Sequence, residues 1–362
     1  MIPLIQKKII NHIPVNKKEA YFLYKQLPLA HLMTIADDIR KSLHPDNKVT
    51  WLVDRNINIS NICFSACKFC KFYRSINSSE AFVRSMDEYK LKIDELFSLG
   101  GNQLLLQGGL HPEWGISYYT DLFKNLKKEY PKLKLHALSP SEIDYLAKKE
   151  KQTYEQILEK LINAGLDSLP GGGAEILSDK IRSKISPNKC NSQEWVEVMK
   201  TAHRMGIVTS ATMMFGHIET DMDRIEHLFK LQEVQNAKPK GAHGFLSFIP
   251  WVFIRENTKM ENIYANEIRK VTASEYLRLI AISRIVLYNI PNIQPSMLTV
   301  GKETAQLSLH AGANDMGSVL LEENVISESD KEAFVGEEAM KTLIKQAGFI
   351  PVKRDQNFNF LS

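Results

Sequence analysis

The sequence predicts an α/β fold, a parallel (β/α)8-type barrel, on three observations. From about residue 50 onward, apolar or β-branched runs of strand length alternate with segments of helical period ten residues or longer. Alternation of this kind goes with right-handed crossovers and parallel strands, whose C-terminal ends then share one mouth. The residues best suited to chemistry also fall just after the strand segments, where barrel enzymes carry theirs. An open doubly wound sheet is the structural alternative.

Residues 1–50 carry helical periodicity and read as an N-terminal helical cap. Ala20, Leu23 and Leu27 lie before Pro28, and Leu32, Ile35, Ala36 and Ile39 after it, ahead of a turn at His44-Pro45-Asp46-Asn47. The barrel is expected over 51–326. Its strands fall near Arg55–Ser60, Gln103–Gln107, Leu133–Leu138, Leu166–Leu169, Val208–Phe215, Gly244–Pro250, Asn292–Thr299 and Ala313–Ser318. Helices are expected near 84–99, 116–129, 153–164, 192–205, 221–235, 273–289 and 303–311. Residues 327–362 read as a closing helix, with Met340, Leu343, Ile344 and Ala347 on one face before Gly348, and a loose end.

Composition excludes several classes. Hydrophobic residues make up 44% and charged residues 24%, ordinary for a folded globular protein. A net charge of +4 over 362 residues gives no warrant for nucleic-acid binding. No apolar run spans a bilayer, and the start lacks the order of a signal peptide, so a cytoplasmic protein is expected. Four cysteines do not make a disulfide framework, and Cys190 stands alone as an incidental thiol.

The other three cysteines, Cys63, Cys67 and Cys70, fall at C-x3-C-x2-C spacing directly after the first barrel strand. Closely spaced thiolates are soft ligands for an iron–sulfur cluster or zinc. A zinc site would want a fourth ligand at its own short spacing, and the nearest later ones, His111 and Cys190, are far off in sequence. The second strand ends in Gly108-Gly109-Leu110-His111-Pro112, where backbone can approach a ligand closely. After the third comes His136-Ala137-Leu138-Ser139-Pro140, and after the fourth Pro170-Gly171-Gly172-Gly173-Ala174-Glu175, a glycine run suited to hugging a ligand. The fifth ends in Phe215-Gly216-His217-Ile218-Glu219-Thr220, and the sixth in aromatics that include Trp251, which suit an aromatic substrate.

The cysteine spacing, with Phe69 just before the last cysteine, resembles the radical S-adenosylmethionine superfamily. Its Gly-Gly-Glu stretch has Leu110 in place of the glutamate here. The wider set, Val53 to Asn58, Leu106 to Pro112, Leu166 to Leu177, Met213 to Thr220 and Phe248 to Trp251, closely resembles the cyclic dehypoxanthinyl futalosine synthase family of menaquinone biosynthesis. Aminofutalosine synthase is the sibling alternative, and Val53-Asp54-Arg55 and Trp251 favour the cyclase. A non-catalytic iron–sulfur or zinc-binding module is the alternative from another class.

The resemblance implies a 4Fe-4S cluster on Cys63, Cys67 and Cys70 with one iron open to S-adenosyl-L-methionine, which Phe69, Gly108, Gly109, Ser139, Glu175 and Gly216 would contact. It implies a radical that takes hydrogen from ribose C4′ of dehypoxanthine futalosine, after which the sugar carbon attacks the benzoate ring. An electron donor such as flavodoxin or ferredoxin, its identity open, is the expected partner. For the substrate, Trp251 and the cations Arg55, Arg74 and Arg284 are candidates by charge and fork geometry. For the final deprotonation His217, Glu219, Tyr73 and Asp315 stay open.

Overall fold

The computed structural model describes residues 2–11, 13–319 and 336–361. Three helices open the chain, α1 (Ile2–Ile10), α2 (Lys17–Gln26) and α3 (Leu29–Leu43), and two short strands follow, β1 (Lys48–Leu52) and β2 (Asp54–Asn58). Then come α4 (Met86–Ser98), β3 (Gln103–Gln107), α5 (Ile116–Glu129), β4 (Lys134–Ala137), α6 (Pro140–Glu150), α7 (Tyr154–Ala164), β5 (Ser168–Leu169), α8 (Asp179–Ile185), α9 (Ser192–Arg204), β6 (Val208–Phe215) and α10 (Asp221–Asn236). The last third holds β7 (Phe245–Val252), α11 (Lys259–Ile263), α12 (Ala273–Val286), β8 (Asn292–Ile293), α13 (Met297–Val300), α14 (Lys302–Ser308), β9 (Asp315–Ser318), α15 (Glu337–Gln346) and β10 (Ile350–Lys353). The expected junction between residues 326 and 327 lies outside the described residues. Among those described, no helix is long and apolar enough to cross a membrane.

Local sequence explains where the helices begin. Asn16, Ser85, Thr153, Asn191 and Thr220 each accept a hydrogen bond from the backbone N–H three residues on, and the side chain there accepts one from the cap's own N–H. Such reciprocal caps satisfy two donors that a helix start would otherwise leave open. α12 is buried nearly all round, from Tyr276 to Val286, because α2 and α3 cover its outer side. Arg278 fixes that contact by donating to the carbonyls of Tyr24 at 2.9 Å and Leu27 at 2.8 Å.

Strands β2 to β8 pair in chain order as one parallel seven-stranded sheet. The expected α/β barrel class holds, but its eighth strand does not continue that sheet: β9 pairs instead with β1, in a separate parallel sheet ordered β10-β1-β9. The two sheets meet around β9. Asn314 donates its backbone N–H to Ile293 O at 3.1 Å, and Ser318 Oγ donates to Asp54. β9 therefore bridges β8 and β2 and closes the cylinder.

Two further departures have plain causes. The expected strand Asn292–Thr299 stops at Ile293, since Pro295 has no N–H for the ladder. The expected loose end is ordered: β10 pairs along β1 from Lys48↔Ile350 to Trp51↔Lys353, and Pro351 is tolerated because β10 is an edge. The chain then turns Arg354 inward, where its Nε and Nη2 donate to Asp315 at 2.5 and 3.0 Å.

Within the barrel the period of two is read on both faces. Asp54, Asn56 and Asn58 of β2 and Gln103, Leu105 and Gln107 of β3 face the interior, whereas Ile57, Leu104 and Leu106 are buried against the outer helices. The inward positions of β2 and β3 are thus mostly polar and their outward positions mostly apolar.

Breaking the Arg354–Asp315 pair should be costly, because both side chains are at most 5% exposed. Arg354→Ala is expected to lose about 3–5 kcal/mol of stability, and an Arg354→Met/Asp315→Leu double variant markedly less, in denaturant titrations. A second expectation concerns His227, buried under β6, which accepts from the Leu177 N–H at Nδ1 and donates from Nε2 to Thr212 O, both at 3.0 Å. Burial pushes its pKa down to about 3, so the unfolded chain takes the proton first. Stability from this group is complete above about pH 6.5 and is lost as pH falls toward 3, at about 1.4 kcal/mol per pH unit. Comparing thermal melts of the native protein and His227→Gln between pH 7 and 5 tests this; the variant should show the shallower loss.

Candidate functional site

The barrel encloses a cavity of about 730 Å³ that runs from the loops after the strands down to the segment after β10. Cys63, Cys67 and Cys70 all line its mouth, and all three are free thiols. Their loop is held by backbone donors and acceptors from distant segments. The N–H groups of Cys63, Phe64 and Lys68 donate to Arg74 O, Leu110 O and Ile185 O, at 3.0, 3.1 and 2.8 Å. Ala66 takes a left-handed φ of 48°, and Asn188 Nδ2 donates to Ser65 O at 3.2 Å.

The sulfurs are dressed with donors. The Leu110 N–H donates to Cys63 Sγ at 3.2 Å, and Ser65 Oγ lies 3.1 Å from Cys67 Sγ. Burial pushes the Cys67 thiol up to about 11, against the pull of Lys189 and Ser65, and raises Cys70 as well, against the N–H groups of Tyr73 and Phe72. A metal must therefore displace these protons, so its binding is coupled to deprotonation. Among the described residues no three His, Cys, Asp or Glu side chains are placed to hold a single ion. Three thiols on one cavity wall, with N–H donors at the sulfurs, fit a multi-iron cluster whose irons each take one thiolate.

Around the thiols the other mouth residues gather as expected. Gly108, Gly109, Ser139, Glu175 and Phe69 line the same cavity, as do Tyr73 and Trp251. A Cβ on Gly109 would sit 2.5 Å from Cys63 Cβ and 2.7 Å from Ile62 O, so only glycine lets the two loops meet there. Glu175 lies at a φ of 41° and is paired with Lys189 Nζ at 2.6 Å. Burial opposes its ionisation, but the ammonium outweighs it and holds the carboxyl below its usual range. Lys189 also sits 5.4 Å over the Phe69 ring.

Several expected site residues are elsewhere. His217, Glu219 and Gly216 line a separate small pocket with Arg224 and Glu275. Glu219 accepts from the N–H groups of Gly216 and His217 at 2.7 and 2.9 Å and from Arg224 at 2.7 Å, and His217 Nδ1 is 3.0 Å from it. This is a buried turn-and-charge network, not a catalytic base at the cavity. A Cβ on Gly216 would meet Val271 at 2.3 Å, so that glycine serves packing. Asp315 is fully buried and committed to Arg354, Thr50 Oγ1 at 2.5 Å and the Gly317 N–H at 2.8 Å.

The three expected cations are structural too. Arg55 points outward from β2 and donates to Glu95 and to Lys92 O on α4. Arg74 pairs with Glu80 and donates to the carbonyls of Lys71 and Tyr73 at 2.9 and 3.0 Å, which shapes the cysteine loop. Arg284 is wholly buried, its donors taken by Gly312 O at 2.8 Å, Pro291 O at 3.0 Å and Asn314 Oδ1 at 2.7 Å. Burial pushes its pKa down to about 9.

The cavity also holds residues that were given no site role from the sequence: Asp54, His136, Glu142, Lys189 and Arg354. At the floor, Asp54 accepts from Ser318 Oγ and from Gln103 Nε2 at 3.1 Å, and burial raises its pKa. Glu142, at the glycine pair, accepts from the Gly108 N–H at 3.3 Å, and burial pushes its carboxyl up to about 7. Neither Lys189 nor Arg354 belongs to a motif. The one signal for Arg354 was the alternation of Ile350 and Val352 ahead of it, a four-residue strand.

Changes at the mouth should register in iron content. After anaerobic reconstitution Cys67→Ala is expected to lose most of its iron and sulfide, and Gly109→Ala to hold at most about half of the native content, by iron assay and visible absorbance.

Comparison with known proteins agrees with this geometry. Residues 57–231 match the model of the Radical SAM superfamily, and residues 242–362 match the CofH/MqnC C-terminal region. The cyclic dehypoxanthine futalosine synthase of Streptomyces coelicolor is 38% identical over 96% of this chain and 86% of its own, and that of Halalkalibacterium halodurans 36% over 99% and 94%. An Archaeoglobus fulgidus protein named 5-amino-6-(D-ribitylamino)uracil–L-tyrosine 4-hydroxyphenyl transferase is 40% identical over 90% and 92%. Methylornithine synthase shares the fold with a TM-score of 0.71 at 18% identity, covering 96% of both chains, and the hydrogenase maturase HydG with 0.75 at 15%, covering 96% of this chain and 75% of that one. The chain is a radical S-adenosylmethionine enzyme with a 4Fe-4S cluster, and it belongs to the family that holds the cyclic dehypoxanthine futalosine synthases and these tyrosine 4-hydroxyphenyl transferases.

Proposed function

We propose that this chain converts dehypoxanthine futalosine to cyclic dehypoxanthinyl futalosine, within the futalosine route to menaquinone. One observation carries the reading: a single chamber joins the thiols at the mouth to Asp54 and Arg354 at the floor, with Trp251 on its wall. A substrate with a ribose at one end and a benzoate at the other can meet both ends of it. Asp54 and Trp251, which favoured the cyclase in the sequence, both border this chamber.

Cys63, Cys67 and Cys70 would hold three irons of the cluster, and Gly108, Gly109, Ser139, Phe69 and Glu175 would contact S-adenosyl-L-methionine. When bound, these groups supply a one-electron reductive cleavage that yields a carbon radical able to take a hydrogen from the substrate. Flavodoxin or ferredoxin is the reductant we expect in the cell. The chain's part is alignment and exclusion. A hydrogen at ribose C4′ must be presented within near-attack distance, and a misplacement of about 1 Å can cost roughly a hundredfold. Tyr73 and Trp251 would cover the substrate, and Gln107 and Ser247 suit its sugar hydroxyls by type. Arg354 takes the role expected of Arg55, Arg74 and Arg284: its fork is oriented by Asp315 and borders the chamber.

The transferase relative, at 40% identity, supports a second reading in which a 4-hydroxyphenyl group is moved from tyrosine to an aminouracil. Product mass separates the readings. With dithionite under nitrogen, dehypoxanthine futalosine should give a product lighter by about two hydrogens together with about one equivalent of free 5′-deoxyadenosine. Tyrosine with the aminouracil should give none. A transferred-phenyl product, or an adduct that consumes the deoxyadenosine as in aminofutalosine synthase, would overturn the proposal.

A further inference from the structure

We propose that Nε2 of His136 is the base that takes the ring proton when the cyclised substrate regains aromaticity. The proposal rests on the cyclase reading above. It names a residue for a step that the sequence candidates do not serve, since His217, Glu219 and Asp315 lie outside the chamber and Tyr73 lies beside the cysteine loop.

His136 is on β4, with Leu105 of β3 and Ser168 of β5 as its neighbours in register. It stands midway between the thiols and the floor, and its side chain borders the chamber. Nδ1 lies 2.5 Å from Ser168 Oγ, and Nε2 makes no hydrogen bond among the described residues. The proposal takes the tautomer in which Nδ1–H donates to Ser168 Oγ, which leaves the lone pair on Nε2, on the chamber wall. Burial pushes the pKa of the ring down to about 4, and the charge of Arg354 adds to that. The imidazole is therefore neutral at pH 7 and able to accept.

The other acid–base groups of the chamber are engaged. Glu175 is paired with Lys189, Asp54 accepts from Ser318 and Gln103, and Glu142 accepts from the Gly108 N–H at the glycine pair. Arg354 and His136 line the same chamber, so a benzoate carboxylate on Arg354 would place its ring within the space that His136 borders.

The step balances as follows. Attack of the C4′ radical on the ring forms a carbon–carbon bond and leaves a cyclohexadienyl radical with one sp³ C–H. That C–H bond breaks, the proton goes to His136 Nε2, and one electron leaves to a one-electron oxidant of the iron–sulfur class. Restored aromaticity makes the loss downhill, so a weakly basic imidazole is sufficient.

The test is the ratio of cyclised product to 5′-deoxyadenosine under single turnover, with iron content and melting temperature measured alongside. His136→Asn retains a donor for Ser168 and removes the base; its ratio is expected to fall about a hundredfold or more. Ser168→Ala leaves the imidazole but frees its tautomer, and a fall of about three- to tenfold is expected. If His136→Asn fails to fold, the Ser168→Ala ratio decides. A native ratio in the folded His136→Asn protein, or in Ser168→Ala where that protein does not fold, overturns the proposal while the cyclase reading stands. A native enzyme that makes no cyclised product overturns the cyclase reading, and the proposal with it.

Discussion

Three thiols must remain reduced, close together and pointed at one chamber while largely withdrawn from water, and most of the mouth is arranged to meet that requirement. The cysteine loop has little regular structure of its own. Its backbone is tied to Leu110 after β3, to Ile185 at the end of α8 and to Arg74 after the last cysteine. Each tie uses a backbone group that would otherwise be buried without a partner. Gly109 then allows the second strand's loop to touch Cys63, and the Leu110 N–H is directed at its sulfur. The superfamily glutamate that Leu110 replaces is thus not needed for this contact, which is made by backbone.

Below the mouth the barrel is lined with polar groups, which a closed interior tolerates only when they are paired. Here the ionisable groups are paired: Asp54 with Ser318 and Gln103, His136 Nδ1 with Ser168, Glu175 with Lys189, Arg354 with Asp315. Charges held this way cost little further reorganisation when a reaction develops charge beside them.

The alternation of strands and helices was legible because each barrel strand from β3 to β7 is flanked by helices with apolar faces and readable caps. The three thiols at the mouth were legible because their spacing is local. What escaped depends on long-range closure. β1 and β10 are four or five residues long, and β10 contains a proline, so neither stands out until the other is seen beside it. Arg354 matters because β10 aims it at Asp315, 39 residues away in sequence. Arg55, Arg74 and Arg284 looked like ligand cations by type, yet each meets a carboxylate or carbonyls supplied by a helix or turn that sequence spacing does not reveal. Glu219 and His217 sit at the expected end of β6, but the turn at Gly216 carries them to the outer side of the strand end.

The floor of the chamber is furnished by a strand that follows every barrel strand along the chain. Until β10 has been synthesised and laid against β1, the cylinder is a tube open at its lower end, and Asp315 lacks its guanidinium. Iron loaded onto the three thiols before that moment would stand at the head of a shaft through which oxygen and water pass freely. The lower end of the chamber is thus completed by residues that come after every strand of the seven-stranded sheet, so its floor forms only once the long-range pairing of β1 and β10 is in place.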